Sequence, residues 1–170
     1  MEGKVAVITG GGSGIGKATA VVLAKEGARV AIFDTEEQKL REVKQEIESS
    51  MGTEGFTFAG SVSSEVDTIK FYEQVREKFG ITPPPPRVDH THSANPGEGQ
   101  VDCVLANAGT NGTWAPIEEL TSAEFMSTIN VNLLGSFLTI KYILLCTFRS
   151  SFVFFNIHLQ CTMPPGMLYL

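Results

Sequence analysis

The stretch KVAVITGGGSGIG, residues 4–16, constrains this chain more than any other. An apolar run, 5–8, enters a loop with glycines at 10, 11, 12, 14 and 16, and a helix-like pattern follows at once. Strand, glycine loop and helix in that order make an anion site. Glycine admits backbone angles that other residues avoid and leaves the main chain open to close approach. The free N–H groups and positive end of the following helix then face the anion. The spacing is T-G-x-x-x-G-x-G, with Thr9, Gly10, Gly14 and Gly16 in place. It is not G-x-G-x-x-G, because Ile15 and Lys17 fall where the last glycine would stand. Nor is it a P-loop: Lys17 follows Gly16, but Ala18 replaces the hydroxyl that would hold magnesium. For the loop alone, a plain glycine turn between a buried strand and a helix is the competing reading.

A chain of 170 residues suffices for one domain with a sizeable core. Hydrophobic residues at 42% and charged residues at 19% describe a globular chain, not a disordered one. A net charge of −6 argues against a nucleic-acid or anionic-membrane partner, since both need clustered Lys and Arg. Small-molecule chemistry fits better. Cys103, Cys146 and Cys161 are far apart and without C-x-x-C spacing, so neither a disulfide framework nor a zinc site is expected. The N-terminus runs straight into a strand with no leader pattern, which points to a cytoplasmic protein. The apolar run 133–148 is interrupted by Lys141 and is short for a membrane span.

Taken in order, Ile15, Ala18, Val22 and Ala24 fit one buried helical face, and 26–28 end that helix. Residues 30–33 are a second strand, so the chain opens as a βαβ unit with parallel strands and a right-handed crossover. Asp34 closes that strand eighteen residues beyond Gly16, close to the spacing at which a carboxylate accepts hydrogen bonds from an adenosine ribose. A 2′-phosphate there would meet like charge, and Thr35 supplies no cation, so NAD is favoured over NADP. Without the glycine loop, Asp34 would read as a solvated turn residue.

Residues 36–50 form a charged amphipathic helix with the stripe Leu40, Val43 and Ile47. A third strand follows at 56–59. Ser64 caps a helix whose expected buried face is Val66, Ile69, Tyr72, Val75 and Phe79. Residues 81–100 break the rhythm with four consecutive prolines and no periodicity, and read as an inserted loop. The prolines fit either a plain surface loop or a polyproline II ligand. His90 and His92 read as solvated side chains, with no metal implied. Residues 101–106 are a fourth strand ending in Asn107-Ala108-Gly109. Thr121 and Glu124 form a capping box opening a long helix through Phe125, Ile129 and Leu133.

With these residues in hand, the chain resembles the short-chain dehydrogenase/reductase family. Four features match in order: TGGGSGIG at 9–16, Asp34 after the second strand, ANAG at 106–109 and NVNLLGSF at 130–137. The resemblance covers 3 to about 141. It implies an α/β Rossmann-type fold, three layers around a parallel sheet, truncated after about four or five strands. Residues 1–148 would form the NAD(P)-binding domain and 149–170 an atypical tail. It further implies that Ser13, Gly14, Ile15 and Gly16 hold the pyrophosphate, that Gly10 and Gly12 also bind the cofactor, and that Asp34 takes the adenosine ribose. Ser61 would lie beside the adenine, Val62 next to it would also bind the cofactor, and Asn107, Ala108 and Gly109 would line the cofactor near the central sheet. Ser61 departs from the Asp usual there, and Ala106 from the first Asn of NNAG. Asn132 matches the family's catalytic asparagine, which supports a proton relay through water; as a bland alternative it bonds neighbouring backbone. The long helix, 121–146, commonly helps form subunit contacts in this family, which implies a homo- or hetero-oligomer.

The family's chemistry moves a hydride between nicotinamide and a carbonyl or alcohol carbon while a Tyr, four residues before a Lys, transfers the proton. A phenol with its pKa near 10 is a poor base at neutral pH unless a fixed cation stabilises its anion. This sequence has no Y-x-x-x-K: Tyr72 is followed at that spacing by Arg76, Tyr142 by Cys146 and Tyr169 by nothing. Lys141 adjoins Tyr142, but neighbours one apart on a helix do not face each other. A catalytically incomplete chain is therefore expected, alternatively a non-enzymatic partner of a full-length relative or an unstable product. From about Tyr142 the family pattern is lost, as truncation, alternative splicing or a changed reading frame would each produce. Residues 152–157 are apolar enough for a fifth strand beside the fourth, or are adventitious.

Overall fold

The computed structural model describes residues 1–51, 55–81, 100–143 and 152–155. Strands β1 (Val5–Thr9), β2 (Arg29–Asp34) and β3 (Gly55–Ala59) alternate with helices α1 (Gly14–Lys25), α2 (Glu37–Met51) and α3 (Glu65–Phe79). Strand β4 (Cys103–Ala106) follows. Then come α4 (Ser122–Ile129), a π-helical turn (Asn130–Leu134), α5 (Gly135–Ile143) and β5 (Phe152–Phe155). All pairings are parallel and the strand order is β3-β2-β1-β4-β5. The chain thus moves outward from β1 to β3 and returns to β4 on the other side of β1. A crevice forms at such a reversal, beyond the carboxyl ends of the strands.

Strands buried on both faces read as continuous apolar runs because alternate side chains enter two different cores. Val5 and Val7 join Phe33, Phe71, Val75, Phe79 and Val104 beneath α3 and α5. Ile8 joins Ala20, Ala24, Ile32, Leu40, Val43 and Ile47 beneath α1 and α2. This is the expected three-layer α/β arrangement. The first core is aromatic, with Phe33 stacked on Phe71 at 4.8 Å between centroids and edge-on to Phe58 at 5.4 Å.

The α2 stripe of Leu40, Val43 and Ile47 is buried as read. The face assigned to α1 is not: Ile15 is 60% and Val22 56% exposed, Ala18 is exposed, and only Ala24 of the four is buried. Gly16, Ala20, Val21 and Ala24 face inward instead. Small residues every fourth position let the helix sit close to the sheet, and that approach, not side-chain bulk, sets its rotation. On α3 the face is likewise rotated, with Thr68 and Phe71 buried beside Tyr72, Val75 and Phe79 while Val66 is exposed. Ser64 caps α3 by accepting from the Asp67 N–H at 3.2 Å, and Gly80 closes it in the left-handed conformation at φ 65°.

The fifth strand of the sequence reading is realised over Phe152–Phe155, paired with β4 from Cys103↔Phe152 to Ala106↔Phe155. Of the proposed loop 81–100 the two ends are described, and Ile81 lies in the first core. The proline run, His90, His92, Cys146, Cys161 and the rest of the 149–170 tail lie outside the described residues. Among the described residues no helix is long and apolar enough to cross a membrane, and no three His, Cys, Asp or Glu side chains cluster as metal ligands.

Candidate functional site

Beyond the carboxyl ends of β1, β2 and β4 lies a cavity of about 560 Å³, in the range of small-molecule sites. Register places Thr9 beside Phe33 on one side and beside Ala106 on the other, so the loops after these three strands open at one level. The glycines after β1 divide the work. A methyl at Gly16 would stand 2.1 Å from the Gly10 carbonyl oxygen, so α1 starts in backbone contact with the loop. Gly14 has φ +53° and open space where its Cβ would be, and it lies on the cavity wall. Ser13, the N-cap of α1, makes no side-chain cap bond. Ser13, Gly14 and Ile15 line the cavity, so the N-terminus of α1, the end of a helix where N–H groups lack intrahelical partners, opens onto it.

Asp34 is held in place. Its Oδ2 accepts the Gly12 N–H at 2.9 Å and its Oδ1 the Glu36 N–H at 3.1 Å, so the carboxylate ties the glycine loop to the end of β2. Across β1, the Thr9 hydroxyl accepts the N–H groups of Asn107 at 3.1 Å and Ala108 at 3.2 Å. The Asn107 side chain returns Nδ2–H bonds to the carbonyls of Thr9 at 3.2 Å and Gly10 at 3.1 Å. These contacts join the turn after β4 to the glycine loop and fix the depth of the cavity between them.

Asn132 sits in the π-helical turn, 3% exposed. Its Nδ2 donates to the Thr110 carbonyl at 2.9 Å and its Oδ1 accepts the Thr110 N–H at 2.8 Å, so one side chain mimics a strand partner for Thr110. The Ser136 hydroxyl donates to the Asn132 carbonyl at 2.8 Å, occupying an oxygen that the irregular turn rearranges. Such turns are frequent at functional sites. Here the turn lets Asn132 reach backbone twenty-two residues away. It also brings Gly135 so close to Val62 that an added methyl would lie 2.6 Å from Cγ2.

Of the residues singled out in the sequence, Gly10, Ser13, Gly14, Ile15, Asp34, Ser61, Val62, Asn107, Ala108 and Gly109 line this one cavity. Gly12, Gly16 and Asn132 stand behind its wall, supporting Asp34, Gly10 and Thr110 respectively. The Ser61 hydroxyl bonds the Ser63 hydroxyl at 2.8 Å. Sequence reasoning missed Phe33, Thr35, Glu36, Gly60, Thr110 and Val131 on the wall. Each of the six adjoins or nearly adjoins a recognised residue, Gly60 beside Ser61 and Val131 beside Asn132 among them, and that adjacency was the available signal.

Lys141 and Tyr142 do meet, against the expectation for helix neighbours. Lys141 Nζ lies 2.7 Å and Tyr142 Oη 2.6 Å from one oxygen of Glu65, and the ammonium stands 4.9 Å from the Tyr142 ring centroid. Two long side chains in the last turn of α5 reach a shared carboxylate at the start of α3. The Glu65 bond holds the Tyr142 phenol above its ordinary pKa, and the Lys141 bond, then that of Tyr142, holds Glu65 below the usual carboxylate range. This is the reverse of what a proton-abstracting phenol needs, and none of the three lines the cavity.

The wall thus brings together the start of α1 at Ser13 to Ile15, the Asp34 carboxylate held by two N–H groups, and the turn after β4 tied to Thr9. Residues 4–83 match the family described as short chain dehydrogenase. The chain matches the short-chain dehydrogenase/reductase family over the N-terminal part of that fold. Levodione reductase of Leifsonia aquatica is 33% identical over 142 residues, 83% of this chain and 46% of that protein. A crystal structure of levodione reductase superposes with a TM-score of 0.75 over 90% of this chain and 53% of the other, at 31% identity. NAD+-bound xylitol dehydrogenase gives 0.69 at 28% identity over 84% and 47%. An alcohol dehydrogenase from Thermococcus sibiricus complexed with 5-hydroxy-NADP gives 0.68 at 35% identity over 83% and 52%. The chain spans about half the length of the curated relatives it matches.

Proposed function

We propose that residues 1–148 form a dinucleotide-binding domain that takes NAD in preference to NADP and that the chain as written does not complete hydride transfer. The observation that carries the cofactor reading is Asp34, fixed by two backbone N–H groups on the cavity wall. A carboxylate so held has lone pairs left for ribose hydroxyls and repels a 2′-phosphate. In this reading Ser13 to Gly16 hold the pyrophosphate. Ser61 and Val62 flank the adenine, and Asn107 to Gly109 line the path toward the nicotinamide. Nicotinamide supplies the hydride chemistry of the family when bound. Asn132 keeps Thr110 in place, and no tyrosine of the described residues combines cavity access with a cation four residues on.

Calorimetric titration with NAD tests the binding. Wild-type chain binds, and the Gly14→Ala and Asp34→Ala variants each weaken binding by about tenfold or more, Asp34→Ala by losing charge-assisted contacts and Gly14→Ala by straining a positive φ and putting a methyl into the cavity. Equal affinities, or no binding by a folded wild type, overturn the reading. Alcohol oxidation or ketone reduction by pure chain would overturn the inactive half of it.

A second reading rests on the exposed apolar side chains Phe125, Met126, Leu133 and Phe137 along α4, the π-helical turn and α5. All four are about half exposed, and large apolar side chains exposed along one helical stretch are a feature of protein–protein contact sites. In this reading the helix pairs with a second copy or a full-length relative, and the chain acts as a binding partner. Sedimentation equilibrium separates the cases, since a monodisperse monomer that also fails to co-purify with such a relative rules it out.

A further inference from the structure

The ribose side of the cavity carries two acidic residues. Glu36 lines the wall with Asp34 and Thr35. Its carboxylate pairs with Lys39 Nζ one turn on, and both side chains are near half exposed. The stem of Lys39 lies over the glycine loop: its Cβ is 3.2 Å from where a Cβ of Gly12 would stand, and Gly12 is the residue whose N–H holds Asp34. The Lys39 stem and the Asp34 carboxylate therefore both pack against Gly12, while the Lys39 ammonium, five residues along from Asp34, is matched by Glu36. The Lys39 ammonium is pushed above its ordinary pKa first by the Glu36 bond, with Asp34 adding a weaker attraction, so it remains charged at neutral pH.

We infer that Glu36 is a second determinant of cofactor choice, acting through its own charge at the wall and by occupying Lys39, and that Lys39 is a latent contact for a 2′-phosphate. This rests on the dinucleotide reading above. With Glu36 neutralised, one negative charge leaves the ribose end and one positive charge loses its partner. Both changes favour a dianionic 2′-phosphate and leave an unphosphorylated ribose nearly indifferent. The Glu36 backbone N–H stays on Asp34 Oδ1 whatever the side chain, so Asp34 keeps its position.

The test is fluorescence titration of NADH and NADPH into wild type, Glu36→Gln, Lys39→Met and the double variant, at low and high salt. Wild type binds NADH more tightly. Glu36→Gln tightens NADPH by about tenfold, the scale of one charge at a partly screened site, and changes NADH by less than about threefold. The double variant loses much of that gain, and added salt shrinks it. Thermal melts of each variant confirm folding. Wild type that binds NADH, with Glu36→Gln no better for NADPH, overturns this inference alone. A gain kept whole in the double variant overturns the role of Lys39. Folded wild type that binds neither nucleotide overturns the dinucleotide reading itself.

Discussion

Asp102 anchors the end of the sheet opposite the cavity. It accepts the Val5 N–H at 2.9 Å, the Lys4 ammonium at 2.9 Å and the Gln100 amide at 3.3 Å, and so joins the starts of β1 and β4. Burial pushes its pKa up, but the Val5, Lys4 and Gln100 bonds together outweigh burial and the carboxyl lies below its ordinary value. A depressed folded pKa contributes stability that is present above the unfolded pKa and lost as pH falls through the folded one. Melting curves taken between about pH 7 and pH 2 should therefore show wild type losing stability on the acid side more steeply than Asp102→Asn. Parallel curves would overturn the assignment. None of Asp102's partners is visible as a motif. By contrast, Asp34 was readable at the same scale because its position after a glycine loop is a matter of spacing along the chain.

Among the elements, the interrupted helix after β4 says most. The capping box was legible because Thr121 and Glu124 are three apart and both halves of it form: Glu124 N–H to the Thr121 hydroxyl at 3.2 Å, and Thr121 N–H to the Glu124 carboxylate at 3.0 Å. The π-helical turn was not legible. A periodicity scan sees an apolar stretch and continues the helix, whereas Asn132 is drawn toward Thr110 and Gly135 toward Val62 by packing that the local sequence does not contain. Asn132→Ala should leave the Thr110 N–H and carbonyl without these partners and cost about 2–3 kcal/mol in chemical denaturation, with a matching loss of NAD affinity as the cavity wall loosens. A destabilisation below about 0.5 kcal/mol would show that the clamp is dispensable. The α1 error has the same origin: which face of a helix is buried depends on how closely the helix can approach, and Gly16, Ala20 and Ala24 set that distance.

For the whole molecule, the sheet order β3-β2-β1-β4-β5 places strands far apart in sequence side by side and creates the cavity at the point of reversal. It also leaves the apolar side chains of α4 to α5 facing outward. If that face pairs, Phe137→Glu and Leu133→Glu should shift sedimentation from dimer to monomer while leaving NAD affinity within about twofold, because neither residue lines the cavity. Unchanged sedimentation in both variants would place any association elsewhere. Some features followed from the sequence alone: the alternation of strand and helix, the glycine loop, Asp34 at the end of the second strand and the apolar stripe of α2. Each is fixed by backbone conformational preference or by periodicity within one or two turns. Tertiary structure alone decided the rotation of α1, the bond between Thr9 and Asn107, the hold of Asn132 on Thr110 and the meeting of Lys141 and Tyr142 on Glu65. Those partners lie about twenty to a hundred residues apart, and their contact exists only once the sheet has brought the strand ends to one level.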